Sequence, residues 1–222
     1  MKSFASTVVA AAIAALAATT PAAHAAVFSD NFETGASALW GNEVGAWAAA
    51  SGVYAATAPG NFPSSVSSLP WTIDDFVVEF DVNGIDDGGA WLRSSNSAGS
   101  IGRVGVLMVM AGGNLYWHEV TDGSNYGASL SEVGGIFSPG QNAHFRVVVS
   151  GDEYKVYIDG DSSPASTLTT GAFANGRFAL YDNSAQTFDN VVLTAAVPEP
   201  ETLALMLAGL AAIGVAAHRR RA

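Results

Sequence analysis

The residues "FVVEFDV" (76–82) alternate strictly. Phe76, Val78, Phe80 and Val82 fall on one side, and Val77, Glu79 and Asp81 on the other. Side chains of an extended chain point to opposite faces in turn, so this pattern predicts a strand with one buried and one solvated face. The same period recurs in "HFRVVVS", with Phe145, Val147 and Val149 against His144, Arg146 and Val148. It recurs again in "EYKVYIDG", with Tyr154, Val156 and Ile158 against Lys155, Tyr157 and Asp159. Turn signals stand between such runs, among them Ser51-Gly52, Asn83-Gly84, Asp87-Gly88-Gly89, Asp122-Gly123 and Asp159-Gly160. Short strands separated by glycine-rich turns build a sandwich or a barrel. "RVVVSGDEYKVYIDG" reads as a hairpin whose Gly-Asp turn accepts positive φ. No helical period and no long linker interrupts residues 26–196, which are expected to form one all-β domain.

The two ends do not share this rhythm. Lys2 precedes an alanine-rich apolar stretch from Val8 to Ala18, followed by Thr19-Thr20-Pro21 and the small-x-small run Ala23-His24-Ala25. A charged start, a short apolar core and small residues are the layout of a secretory signal peptide. Residues 1–25 are therefore read as a leader cleaved between Ala25 and Ala26. Residues 26–196 then carry five basic side chains (Arg93, Arg103, Arg146, Lys155, Arg177) against eighteen carboxylates, a net charge of −13. Such a surface repels phosphate backbones, which argues against nucleic acid as a partner. The chain has no cysteine, so an exported fold must hold without disulfides. A single core of about 170 residues can manage that.

The chain closes with "VPEPETLALMLAGLAAIGVAAHRRRA", in which an apolar run (202–217) separates Pro198-Glu199-Pro200 from Arg219, Arg220 and Arg221. As a helix this run extends ~24 Å, short of the ~30 Å hydrocarbon core, and it spans with help from snorkelling arginines and a thinned bilayer. The arginines stay cytoplasmic by the positive-inside rule, which leaves the acidic body outside.

Three stretches, "FSDNFETGASALWGN", "FRVVVSGDEYKVYIDG" and "NGRFALYDNSAQTFDNVVLT", resemble concanavalin A-like jelly rolls such as laminin G-like and 3-keto-disaccharide hydrolase-type domains. The resemblance implies a two-sheet antiparallel jelly-roll sandwich. The tail resembles the PEP-CTERM sorting signal, carried here by Val197, Pro198, Glu199, Pro200 and the three terminal arginines. That resemblance implies processing by an exosortase, a membrane protease-transpeptidase of Gram-negative bacteria that make exopolysaccharide. The cut would fall near Pro198-Glu199-Pro200, where proline leaves the backbone extended and accessible. A permanent anchor is the alternative.

No residue is assigned a catalytic role. Glu79 and Asp81 share a face, as in the Glu-x-Asp-x-x-Glu of laminarinase-type glycosidases, but the third position is Gly84. The pair of carboxylates that flanks a glycosidic bond is then incomplete. His118 and His144 lie in no metal or nucleophile motif. No cofactor is expected apart from calcium, for which Asp74, Asp75, Asp86 and Asp87 are weak oxygen-donor candidates. Trp91 and Arg93 alternate with Ala90 and Leu92, and Trp117 with Tyr116 and His118. If the apolar sides all point inward, Glu79, Asp81, Trp91 and Arg93 share an outer face able to stack on and bond a sugar. The expected function is a non-enzymatic, exported surface or matrix protein contacting exopolysaccharide. A glycan-processing hydrolase and a purely structural matrix component are the alternatives.

Overall fold

The computed structural model describes residues 24–196, which form strands, turns and bends and no helix. The leader up to residue 23 and the tail 197–222, with its apolar run 202–217, lie outside the described residues. In chain order the first strands are β1 (His24–Asp30), β2 (Trp47–Ala50), β3 (Val53–Ala56), β4 (Val66–Ser68), β5 (Phe76–Asn83), β6 (Asp87–Asn96) and β7 (Arg103–Ala111). There follow β8 (Asn114–Val120), β9 (Leu130–Val133), β10 (Ala143–Ser150), β11 (Glu153–Ile158), β12 (Ser166–Thr169), β13 (Arg177–Asp182) and β14 (Thr187–Ala196).

Two antiparallel sheets result. One has eight strands in the order β12-β11-β10-β5-β14-β3-β2, with β1 also on β14. The other has six, in the order β4-β13-β6-β7-β8-β9. The expected two-sheet sandwich is what the chain forms. The expected hairpin joins β10 to β11, with Ser150 opposite Glu153 across a Gly151-Asp152 turn. Gly151 sits at φ 53°, where a side chain would be strained.

Register follows from burial. Phe145 pairs with Phe80 and Val147 with Val78, so the apolar sides of β5 and β10 face the same way. A slip of one residue would turn every one of them to water. Phe80 stacks on Phe145 (5.6 Å) and meets Phe178 of the other sheet at 6.1 Å. From the six-stranded sheet come Leu92, Met108, Trp117 and Leu180, all fully buried. Each such side chain contributes ~1.5–3 kcal/mol by leaving water. Trp117 Nε1 donates to Ser166 Oγ of β12 (2.9 Å), which donates to the Ser131 carbonyl of β9 (3.0 Å), tying the sheets at one edge.

The opening Phe28-Ser29-Asp30-Asn31-Phe32 has a mechanical role. Asp30 accepts from the backbone of Phe32 (3.0 Å) and Ser37 (2.8 Å), and from Trp40 Nε1 (3.0 Å). One carboxylate thereby seats Phe32 on Tyr54 (5.0 Å) and Trp40 on Phe28 (5.5 Å).

The six-stranded sheet is apolar on both faces. Opposite the main core, Trp91, Leu107, Val109, Ala179 and Tyr181 form a second buried cluster with Val66, Ile101 and Val120. Loops rather than a third layer cover it. Trp91 Nε1 donates to Ser64 Oγ (3.3 Å), the Ser64 amide to the Ile101 carbonyl (2.9 Å), and the Ile101 amide to the Gly123 carbonyl (2.8 Å).

Candidate functional site

The structure does not bring Glu79, Asp81, Trp91 and Arg93 together. Glu79 and Asp81 lie on the outer face of the eight-stranded sheet, as the β5 alternation predicts. There Glu79 pairs with Arg146 (3.3 Å), while Asp81 accepts from His144 Nδ1 (2.6 Å) and Asn190 Nδ2 (2.8 Å). Trp91 belongs to the other sheet and is fully buried under Tyr126, with ring centroids 6.4 Å apart. Its direction opposite Leu92 is as expected, but loops close over it.

Arg93 departs from the expected face because the strand bulges. The β6–β7 register shifts between Leu92 and Ser95, and Arg93 takes φ 46°. A bulge turns its extra residue out of the alternation. Gly176 permits it, since a Cβ there would overlap the Arg93 carbonyl carbon. The guanidinium, 3% exposed, donates to the carbonyls of Asp74 (2.8 Å), Gly151 (2.8 Å) and Phe173 (2.9 Å), and to Asp75 Oδ1 (2.9 Å). It also lies 5.4 Å from the Tyr154 ring. It pins loops from the far sheet.

The four aspartates offered for calcium are also divided. Asp74 and Asp75 precede β5, while Asp86 and Asp87 follow it at the opposite end. Asp75 is engaged by Arg93 and the Gly151 amide (2.9 Å), and Asp87 Oδ2 accepts from Asn183 Nδ2 (2.8 Å). Among the described residues no group of three or more histidines and carboxylates is arranged to hold a metal.

What does assemble is a cavity of about 120 Å³ on the outer face of the six-stranded sheet, beside the buried Trp91. Leu107 and Val109 of β7 contribute apolar lining. Tyr116 and His118 of β8 join them, pointing away from Trp117 as alternation requires. Asp87 of β6, Tyr181 of β13, Tyr126, Asn61 and Phe62 complete the lining. Tyr116 meets His118 edge-on at 5.3 Å, and His118 meets Tyr126 at 5.6 Å. Phe62, 63% exposed, stands edge-on to Tyr126 at 5.6 Å.

Asn61 fastens the loop. Its carbonyl accepts from the Tyr126 hydroxyl (2.9 Å), and its side-chain oxygen accepts from the Tyr181 hydroxyl. His118 Nδ1 donates to the Ala128 carbonyl (3.2 Å), which leaves Nε2 as the acceptor of the neutral ring. Burial pulls the His118 pKa down and so favours that neutral ring. Burial raises the Tyr116 and Tyr126 hydroxyls, and the nearby Asp87 adds to both shifts. These groups are neutral donors and acceptors around one carboxylate. The sequence set Tyr116 and His118 opposite Trp117 but named neither as a site residue. It gave no signal for Asn61, Phe62, Tyr126 and Tyr181, which distant loops and strands bring in.

Residues 196–221 match the PEP-CTERM protein-sorting motif. The motif indicates an exported, membrane-anchored precursor processed for the cell surface. No curated protein matches the chain in sequence. Among solved structures, a galectin-like-fold protein of unknown function from Bacillus subtilis is similar at 8% identity and TM-score 0.57, covering 79% of this chain and 98% of its own. The kappa-carrageenase of Pseudoalteromonas carrageenovora, solved with an oligotetrasaccharide of kappa-carrageenan, is similar at 12% identity and TM-score 0.55, over 81% and 98%. Carbohydrate-binding module CBM66 of Bacillus subtilis is similar at 17% identity and TM-score 0.50, over 76% and 92%. At these identities the likeness is one of fold.

Proposed function

We propose that this chain, whose end is a PEP-CTERM protein-sorting motif, is a surface or matrix protein whose sandwich binds envelope exopolysaccharide. In this reading residues 1–25 are a leader, residues 26–196 the binding domain, and residues 197–222 a handle that an exosortase removes. The observation that carries it is the aromatic cavity on the six-stranded sheet. Ring faces of Tyr116 and Tyr126 offer stacking to the C–H side of a sugar, while Asn61, His118 and Asp87 offer hydrogen-bonding groups to its hydroxyls. Convergent polar groups set beside ring surfaces are how proteins orient small ligands. Hydrolysis by paired carboxylates needs a second acid. Asp87 is the one carboxylate among the described residues lining the cavity, so binding without turnover is the favoured reading.

The test is saturable binding of the purified protein to exopolysaccharide from its own host, with Tyr116→Ala as the comparison. We expect binding that the variant loses and no release of reducing ends. Absence of saturable binding would leave the purely structural reading, and released reducing ends would establish the hydrolase.

A further inference from the structure

We propose that the group seated in this cavity is an ammonium ion, carried on a glycan as the protonated amine of an amino sugar. This rests on the binding reading above and narrows its ligand class. Three tyrosines, Phe62 and His118 line the cavity with Asp87, and none of its lining residues is a lysine or an arginine. Aromatic faces carry negative quadrupole charge, and a cage of them around a carboxylate attracts a cation.

Asp87 is available to it. Asn183 occupies Oδ2, and no hydrogen bond among the described residues reaches Oδ1. Four of the five basic side chains of residues 26–196 are engaged elsewhere, and Arg177 does not line the cavity. Arg93 serves the far loops, Arg103 donates to Ser94 (2.7 Å), and Arg146 and Lys155 pair with Glu79 (3.3 Å) and Glu153 (2.6 Å) on the eight-stranded sheet. Nothing in the lining offsets the carboxylate. Beyond burial, Asp87 raises the pKa of Tyr116, Tyr126 and Tyr181, and Glu132 adds to that of Tyr116.

A uronate or sulfate placed here would face Asp87 without a counter-charge. A neutral ring would stack and offer Asp87 hydroxyl hydrogen bonds, but no opposite charge. A protonated amine gains both the ring faces and a charge-assisted hydrogen bond. The cavity, about 120 Å³, is small beside pockets of ~300–1,000 Å³, so it receives one ring or a chain end. The same ammonium chemistry occurs in choline, which has no N–H for Asp87, and an arm of the test separates the two.

Calorimetric titration of the full-length chain in nonionic detergent would compare a glucosamine tetramer, its N-acetylated counterpart, a galacturonate tetramer and choline. We expect the glucosamine tetramer to bind about tenfold or more tightly than the N-acetylated one, with galacturonate weakest. Asp87→Asn should erase that ratio, bringing the amine and its acetylated form to equal affinity. Tyr116→Leu should weaken every sugar, and it carries the test if Asp87→Asn fails to fold. Equal binding of the amine and its acetylated form overturns the ammonium proposal and leaves the glycan reading standing. Binding of choline without any sugar sustains the ammonium and overturns the glycan. Silence from all four ligands overturns both.

Discussion

Replacing Arg93 by methionine tests whether the bulge in β6 was read correctly. Methionine keeps much of the volume and removes the charge. The guanidinium makes four contacts of 2.8–2.9 Å to three carbonyls and Asp75. Charge-assisted bonds are worth ~1.5–3 kcal/mol each, but the carbonyls of Asp74 and Gly151 belong to exposed residues and regain water. Removing one partner of a buried ion pair costs ~3–5 kcal/mol. Asp75 is 40% exposed, which places this case at the lower end, about 3 kcal/mol. For a domain of this size that lowers the melting temperature by ~6–12 °C. Thermal and urea unfolding followed by circular dichroism would read it. Asp75→Asn should cost about 1 kcal/mol, because the guanidinium keeps its carbonyls. Glycan binding should be untouched in both. A methionine variant that melts with wild type, or one that keeps its fold and loses binding, would refute the placement of Arg93 away from the cavity.

Trp91→Ala should destabilise by ~3–5 kcal/mol, since the indole is fully buried, and a calorimetric melt would show it. An unchanged melt would mean that the loops do not close over Trp91. Burial raises the Asp182 carboxyl to about 6. The unfolded chain ionises this group near pH ~4, so the native state holds the proton more tightly. The stabilisation is full below pH ~4 and is lost as pH rises through 6, on the order of 3 kcal/mol. Melting temperatures between pH 4 and pH 7 should therefore fall further in wild type than in Asp182→Asn, and parallel curves would sink the assignment. Alanines in place of Pro198-Glu199-Pro200 should leave an uncleaved membrane form. Fractionation and blotting would detect it, and equal release of mutant and wild type would contradict the sorting role.

Strands with one wet face were legible because their chemistry alternates along the chain. Phe76 to Val82 and Phe145 to Val149 needed no further information. The six-stranded sheet was harder, since Leu107 and Val109 are as apolar as Met108 and Met110 and the pattern has no wet side. Arg93 was misplaced for a different reason. A non-glycine residue at φ 46° carries no sequence mark, and the glycine that permits it, Gly176, is far along the chain. The cavity was not legible as a site, although the direction of two of its side chains was. Tyr116 and His118 follow from the direction of Trp117, whereas Asn61 meets Tyr126 and Tyr181 across 65 and 120 residues. Loop contacts at such separations follow from the assembled sheet, not from any local period.

The strand made last in the described chain stands in the middle of the larger sheet. β14 lies between β5 and β3, and β1 also pairs with it. Until residues 187–196 arrive, β5 and β3 have no neighbour on that side, and the sheet is two separate fragments with β1 unpaired. Long-range strand pairing is slow to form even when every residue is present. For a polypeptide synthesised N-terminus first, this ordering works as a delay, because the larger sheet cannot close before its last strand has been made.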